Sequence, residues 1–193
     1  MISNGDNDPF DWEKIQPSAE LSWHDCYKDF HCARFKVPLN HSEPEGKSAA
    51  IALIRLHAGV GAQSDDYRGP VLFNPGGPGG SGVELILKRG RHLATILGPQ
   101  FDVVGFDPRG VARSVPRVSY YESAVERELW ELSAVHELNY SNHDLGDTWG
   151  RALITSRLAR ERDDDVLGHI NADQTARDML KITEAHGFEK LKY

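Results

Sequence analysis

Short aliphatic runs alternate with longer segments of helical periodicity along most of this chain. The second run is apolar at nearly every position, which is typical of a strand that is covered on both faces. Clusters of glycine, proline and asparagine separate the runs, as expected for turns. We therefore predict strands at CARFKVPLN (32–40), AAIALIRLHA (49–58), PVLFN (70–74) and FDVVGFD (101–107).

Apolar residues at helical spacing follow the third and fourth strand-like runs. Gly90 interrupts the first helical segment and Gly98 ends it, while Asn171 or Asp173 suits the capping position of the last segment. The first twenty residues are expected to form an irregular arm. Helices are predicted at 83–97, 120–138, 145–162 and 171–187.

The order of these elements indicates an α/β protein whose sheet becomes parallel in its middle. The charged helical stretch at about 116–168 is expected to be an insertion between a strand and the next core helix. With 193 residues, 39% of them hydrophobic and 26% charged, the chain is predicted to form part of one soluble globular domain.

Charge and motif content narrow the classes of function. The net charge of −7 and the absence of a basic stripe exclude a typical nucleic-acid-binding protein. No apolar stretch is long enough to span a bilayer, and no pattern for a metal or cofactor is present, so neither is expected. The polar start, MISNGDNDPF, is not a signal peptide as written.

Two cysteines, Cys26 and Cys32, leave two alternatives open. They are either two unpaired thiols or a local disulfide that closes a small loop. A disulfide would imply an oxidising compartment and a secreted protein, whereas free thiols would fit the cytoplasm. The sequence alone does not decide between them.

The segment NPGGPGGSG (74–82) connects a predicted strand to a predicted helix, and two functions fit it. In the first, Gly77, Gly79 and Gly82 form the G-x-G-x-x-G pattern of a dinucleotide site, with Asp107 as the ribose-binding acid. Two prolines weaken this interpretation because they remove N–H donors from a loop that must hold a pyrophosphate. A P-loop is excluded, since no Lys-Ser or Lys-Thr follows the glycines.

In the second interpretation the segment is an oxyanion-hole turn. A hydrolase that cleaves acyl bonds needs fixed N–H donors where negative charge develops on the substrate carbonyl, and backbone amides supply them without reorganisation. Glycine lets the backbone approach the substrate closely. Gly77, with Gly76 as the neighbouring alternative, lies where the first donor is expected.

Several motifs together resemble one known family. NPGGPGGSG followed by FDVVGFDPRGVARS resembles the peptidase S33 group of α/β-hydrolases, in the branch of tripeptidyl aminopeptidases and proline iminopeptidases. LSWHDC with CARFKVPLN, and DQTARDMLKITEAHGFEKLKY, are similar to the same branch. The resemblance covers most of 21–193, with Ala112 standing where the family usually has a second glycine.

This resemblance implies the amino-terminal half of an α/β-hydrolase sheet, mostly parallel, with helices on both faces and a helical insertion at about 116–168. It also implies a serine hydrolase that acts as an aminopeptidase on short peptides. The backbone N–H groups of Gly76 and Gly77 would form the oxyanion hole. The turns expected to support the site contain Asn74, Pro75, Pro78, Gly79, Asp107 and Arg109.

The nucleophile, acid and base of such an enzyme are expected beyond residue 193, since their usual chain order is serine, acid, histidine. The nearest approach to a nucleophile motif is Gly-Gly-Ser-Gly-Val at 79–83, where Ser81 is better suited to cap a helix. Ser114 is expected to stabilise the turn after DPRG, and no histidine in the chain is expected to be the catalytic base.

Residues 1–193 alone are therefore expected to be inactive and to need a carboxy-terminal half, from the same or a second polypeptide. The expected substrate is a small peptide or another acyl compound. The alternatives are an ester or lactone hydrolase on the same fold, and a non-catalytic remnant or partner subunit.

Overall fold

The computed structural model describes residues 9–77, 79–117, 121–134 and 141–193. They divide into two compact units. The first consists of Met1–Arg117 with Gly168–Tyr193, and the second is Val118–Leu167. The second unit corresponds closely to 116–168, the stretch for which the sequence predicts an insertion. That both units belong to a single hydrolase domain stays a prediction.

The first unit is built on one mixed sheet of five strands in the order β1-β2-β3-β5-β4. The strands are β1 (His24–Cys26), β2 (Phe30–Pro38), β3 (Ser48–Leu56), β4 (Gly69–Phe73) and β5 (Phe101–Phe106). All four predicted strands are present, and β1 is an additional short strand.

Strand direction in this sheet differs from the sequence-based expectation. The pairs β1/β2, β2/β3 and β3/β5 are antiparallel, and only β4/β5 is parallel, with Val71 opposite Val103. The expectation of a mostly parallel sheet is thus wrong for the described strands. The physical reason is connectivity, since short turns join the first three strands and only α1 (Gly82–Leu97) makes a helical crossover.

Helix α1 lies directly on β5. A Cβ atom on Gly82 would come within 2.1 Å of the Phe106 carbonyl oxygen, and one on Gly105 within 2.3 Å of the Gly82 carbonyl oxygen. Glycine at both positions therefore permits the close approach of helix and strand. Val83 and Ile86 on the inner side of the helix are completely buried in the core beside Val103.

A disulfide joins Cys26 in β1 to Cys32 in β2, with an S–S distance of 2.04 Å. Of the two alternatives that the sequence leaves open, the disulfide is the one found. Both sulfur-bearing side chains are buried in the core cluster next to Trp12 and Phe30. The covalent link thereby holds the short edge strand onto the sheet.

Helix α4 (Ala172–Ala185) leads to the end of the chain. Its cap is Asn171, whose side chain accepts a hydrogen bond of 3.0 Å from the Gln174 amide. Beyond the helix, the Phe188 ring occupies the space beside Gly69, where a Cβ atom would lie 2.6 Å from it. Lys192 follows, and its carbonyl oxygen accepts a 2.9 Å hydrogen bond from the Leu72 amide in β4.

The second unit contains α2 (Ala124–Leu132) and α3 (Asp144–Arg162). The guanidinium of Arg151 in α3 donates to the Ser133 hydroxyl at 2.8 Å and lies 4.2 Å from the centre of the Trp130 ring. The predicted helix at 120–138 begins later and ends earlier, and parts of that range lie outside the described residues.

Short 3-10 helices occur at Trp12–Lys14 and Leu167–His169. Within the described ranges, no helix has the length and apolar character needed to cross a membrane.

Candidate active site

The glycine turn follows β4 at the carboxyl end of that strand. The Asn74 side chain accepts a hydrogen bond of 3.1 Å from the Gly76 amide, and the Gly76 carbonyl accepts one of 3.0 Å from the Gly80 amide. Gly76, Gly77 and Gly79 have φ values of +72°, +138° and +88°, which side-chain-bearing residues rarely adopt. The glycines are therefore required by the backbone path. Pro78 lies outside the described residues.

Two amides in this turn differ in availability. The Gly76 N–H is engaged by the side chain of Asn74. The Gly77 residue is exposed, and in the part of the chain that the structure describes no hydrogen bond uses its N–H. Of the two donors predicted from the sequence, the Gly76 amide is thus the one engaged among the described residues, while the oxyanion-hole role of either amide stays a prediction. Pro75, also exposed, packs beside Gly80.

Asp107 anchors the other end of the turn. Its buried carboxylate accepts hydrogen bonds from the Ser81 hydroxyl at 2.5 Å, the Val83 amide at 3.1 Å and the Arg113 amide at 3.1 Å. Burial raises the pKa of the carboxyl, and the bonds from Ser81, Arg113 and Val83 oppose that rise. Because its oxygens are used internally, Asp107 is not available to a ribose, which argues against a dinucleotide site.

Ser81 caps α1 as predicted, since its hydroxyl oxygen accepts a 3.0 Å hydrogen bond from the Glu84 amide. The same hydroxyl donates to Asp107. Arg113 completes this set by pairing with Glu84 at 2.9 Å, and this contact lowers the pKa of the Glu84 carboxyl. The start of α1 is therefore fixed by a connected group of polar side chains.

The turn after β5 is closed by Ser114. Its hydroxyl donates to the Asp107 carbonyl at 2.6 Å and accepts from the Ala52 amide at 2.9 Å, which confirms the role predicted for it. Ala112 has a φ of +44°. This left-handed conformation favours glycine, the residue that the family resemblance leads us to expect at that position, and the alanine holds it at some steric cost.

Arg109 lies inside the protein, with only 1% of its side chain exposed. Its Nε and Nη2 donate to the two carboxylate oxygens of Asp178 at 2.8 and 2.6 Å. The guanidinium also donates to the carbonyls of Pro38, Leu39 and His169. Arg109 thus ties the DPRG turn to α4, and its guanidinium is used in internal contacts.

Sequence reasoning missed two members of this group. Asp178 lies on the buried side of α4, and His41, in the turn between β2 and β3, has its Nε2 2.8 Å from Asp178 Oδ1. The His41 side chain is only 7% exposed, although the residue lies in a turn. The signal that could have pointed to Asp178 is a charged residue between apolar positions of an amphipathic helix.

A second polar cluster lies at the opposite end of β5. Asp102 accepts from the Tyr67 hydroxyl at 2.8 Å and the Ala58 amide at 2.7 Å, with Arg55 at 3.6 Å. Burial, and then the charge of Arg55, lowers the pKa of His57 beside it. Because Asp102 begins the strand that Asp107 follows, this cluster is remote from the glycine turn.

Among the described residues, no group of three or more His, Cys, Asp or Glu side chains is arranged to hold a metal ion. The predicted site residues thus fall into two sets. The largely exposed glycine turn contains Asn74, Pro75, Gly76, Gly77 and Gly79. Asp107 and Arg109 are buried: Asp107 contacts the start of α1, and Arg109 contacts α4 and the end of β2.

Comparison with known proteins identifies several relatives, although no family model matches the chain. The chain is 33% identical to serine protease Hip1 of Mycobacterium tuberculosis over 163 residues, covering 84% of this chain and 30% of the relative. It is 31% identical to a tripeptidyl aminopeptidase of Streptomyces lividans over 183 residues, covering 91% and 33%. These relatives support a serine hydrolase family.

A third relative broadens the range of reactions. The chain is 28% identical to carboxylesterase B of Mycobacterium tuberculosis over 182 residues, covering 87% of this chain and 33% of the relative. The chain therefore spans about a third of the length of the curated relatives that it matches. The names of these serine hydrolase relatives divide between peptidase and esterase, and so leave the substrate class open.

Proposed function

We propose that this chain is the amino-terminal part of a serine hydrolase with the α/β-hydrolase fold, in the tripeptidyl aminopeptidase branch of the peptidase S33 group. Its contribution to catalysis is the oxyanion-hole turn, with the Gly77 amide as donor. The relatives at 33% and 31% identity named serine protease and tripeptidyl aminopeptidase support the peptidase assignment.

The observation that carries this proposal is the hydrogen bond between the Leu72 amide and the Lys192 carbonyl. As β4 runs from Gly69 to Leu72, the final segment runs beside it from Phe188 to Lys192, in the same direction. Residues that continue this segment would reach the sheet edge where β4 enters the glycine turn. In an α/β-hydrolase a nucleophile at that place faces the oxyanion donors.

In the proposed reaction, a serine oxygen supplied by the polypeptide beyond Tyr193 attacks the acyl carbon of the substrate. A base, also beyond Tyr193, takes the serine proton, and the carbonyl π electrons move onto the oxygen. The Gly77 N–H donates to that developing oxyanion, together with the amide after the nucleophile. The Asn74 side chain and the Asp107–Ser81 contact hold the two ends of the turn, so this donor needs no reorganisation.

The proposed substrates are short peptides with a free amino terminus, cleaved near that end. The relative named carboxylesterase B is the specific observation that favours a second candidate, an ester hydrolase with the same oxyanion turn. The buried disulfide between Cys26 and Cys32 supports a protein that works in an oxidising compartment.

The test uses the longer polypeptide that contains 1–193 and the residues that follow. It is treated with a fluorophosphonate probe and assayed with tripeptidyl and ester chromogens. We expect covalent labelling of a serine beyond Tyr193 and faster turnover of the peptide substrate. Faster ester turnover would favour the second candidate. A longer polypeptide that takes up no label would overturn the serine hydrolase proposal.

A further inference from the structure

The unit Val118–Leu167 has an unusual distribution of apolar side chains. Among its described residues, Asp144 is the single buried one, and it is charged. Buried apolar surface is the main source of folding free energy, and the described residues of this unit contribute almost none. Between the described parts of α2 and α3 there is therefore no buried apolar core that would stabilise the two helices.

Helix α2 exposes an apolar stripe. Val125, Leu129 and Leu132 occur at intervals of four and three positions and thus lie on one side of the helix. Their exposed fractions are 64%, 64% and 81%. Leucine and valine are seldom left so exposed in a regular series along one helix.

Helix α3 repeats the arrangement. Leu145, Trp149 and Leu153 recur every four positions, with exposed fractions of 70%, 68% and 56%. A tryptophan near the middle of such a stripe is typical of the side chains that anchor one protein surface in another. Exposed charged residues lie beside the two stripes, among them Glu128 on α2 and Arg157 and Arg160 on α3, as in the polar rim of an interface.

Isolated helices of fewer than about 12–15 residues are only marginally stable in water, because nucleation is costly. Helix α2 has nine residues, and its apolar side faces solvent. A surface that covers the two stripes would bury their apolar side chains. Each Å² of apolar area removed from water stabilises the protein by roughly 25 cal/mol.

We propose that these two apolar stripes dock against a further segment of the same polypeptide, one that presents an apolar surface. The proposal rests on the proposed function. The relative at 33% identity has 70% of its length outside the matched part, because the match covers 30% of it, so such proteins carry ample chain for the purpose. A second copy of this chain fits less well, since its net charge of −7 opposes self-association.

Hydrogen exchange of the peptides that cover 144–162 tests this docking. We compare the 193-residue chain with the longer polypeptide, using the peptides of α1 and β5 as an internal control for folding. We expect exchange in α3 to be at least about tenfold slower in the longer polypeptide, because the amides of a docked helix open only with the structure around it.

A matched pair of variants of the longer polypeptide identifies the surface. Leu129→Asp with Trp149→Asp places charges on both stripes and should restore fast exchange in α3. Glu128→Gln with Glu161→Gln alters exposed charged positions on the same two helices and should leave the protection intact. Fluorophosphonate labelling of the unaltered longer polypeptide, measured in parallel, reports separately on the serine hydrolase proposal.

Equally fast exchange of α3 in both polypeptides would overturn the docking proposal, even if the serine is labelled. A second result would also overturn it. If exchange in the 193-residue chain becomes slow only when that chain dimerises, the surface that covers the stripes is a second copy of the chain. Retention of protection in the Leu129→Asp, Trp149→Asp variant would likewise exclude these stripes as the interface.

Discussion

The guanidinium of Arg109 and the carboxylate of Asp178 form a two-point ion pair in which each side chain is only 1% exposed. This pair connects the turn that follows β5 with the helix that leads to the last segment of the chain. His41 adds a third contact to the same carboxylate. The turn after β5 is therefore held to α4 by a buried charge pair.

Replacing Asp178 with alanine should destabilise the protein strongly. Arg109 would keep its charge in a buried position without a carboxylate partner, which costs about 3–5 kcal/mol of unfolding free energy. Urea denaturation of the longer polypeptide measures the change. The control is Asp173→Ala, which removes an exposed pair with Arg177 and should cost no more than about 1 kcal/mol. Equal losses in the two variants would contradict the structural role of Asp178.

Replacing Gly77 with valine should abolish most of the activity of the longer hydrolase. A valine disfavours the φ of +138°, and its Cβ would lie 3.1 Å from the Gly80 amide nitrogen, so the donor is displaced. Loss of one oxyanion donor lowers kcat about 10²–10³-fold. Steady-state kinetics should show this fall in kcat, while Gly61→Ala, at an open position, serves as the control. Normal turnover in the valine variant would remove Gly77 from the oxyanion hole.

Replacing Ser81 with alanine should lower the stability of the protein and leave its nucleophilic serine reactive. The variant loses the cap of α1 and one hydrogen bond to Asp107, which together cost about 1–2 kcal/mol. Fluorophosphonate labelling of the longer polypeptide should persist, because the labelled serine is expected elsewhere. Complete loss of labelling in a variant that still folds would identify Ser81 as the nucleophile.

The native chain should contain no free thiol. Alkylation without reductant should leave its mass unchanged, whereas alkylation after reduction should modify both Cys26 and Cys32. Reduction frees a short loop and should lower the unfolding free energy by about 2 kcal/mol. Modification of both cysteines in the unreduced folded protein would mean that the disulfide does not form.

The free energy of unfolding should fall as the pH drops below 6.5, the ordinary pKa of histidine. Burial lowers the folded-state pKa of His186 and His57. The unfolded chain therefore binds protons that the folded chain does not, and the loss continues until the pH reaches the folded-state pKa values. Urea unfolding at several pH values should show a weaker dependence for His186→Gln than for His92→Gln, an exposed control. Parallel curves for the two variants would argue against this linkage.

Most of the regular structure could be predicted because it depends on local patterns. The four aliphatic runs became strands within two positions of their expected starts and ends, and Asn171 caps α4 as one of its two candidates. Strand β1 was missed because His-Asp-Cys has no apolar alternation, and pairing with β2 gives it its structure. Gly90 does not interrupt α1, since it packs against Ile86 and Phe30 where a larger residue would crowd them.

In the candidate site, too, local features could be predicted and long-range contacts could not. The glycine turn could be predicted because its conformation depends on residues that are consecutive in the sequence. The contact of Arg109 with Asp178 joins positions 69 residues apart, and the antiparallel pairing of β3 with β5 is equally non-local. Such contacts depend on how the elements pack, which the pattern of residues along one sequence does not reveal.

The hydrogen bond between the Leu72 amide and the Lys192 carbonyl can form only late in the synthesis of the chain. Translation adds about 5–20 residues per second, so β4 is made roughly ten seconds before the segment that pairs with its outer edge. During that interval the strand has amide and carbonyl groups without their final partners on that side, a state prone to pairing with other chains. The nascent protein thus passes through a period in which β4 is prone to aggregation, and this period ends once Phe188 to Lys192 have left the ribosome and paired with the strand.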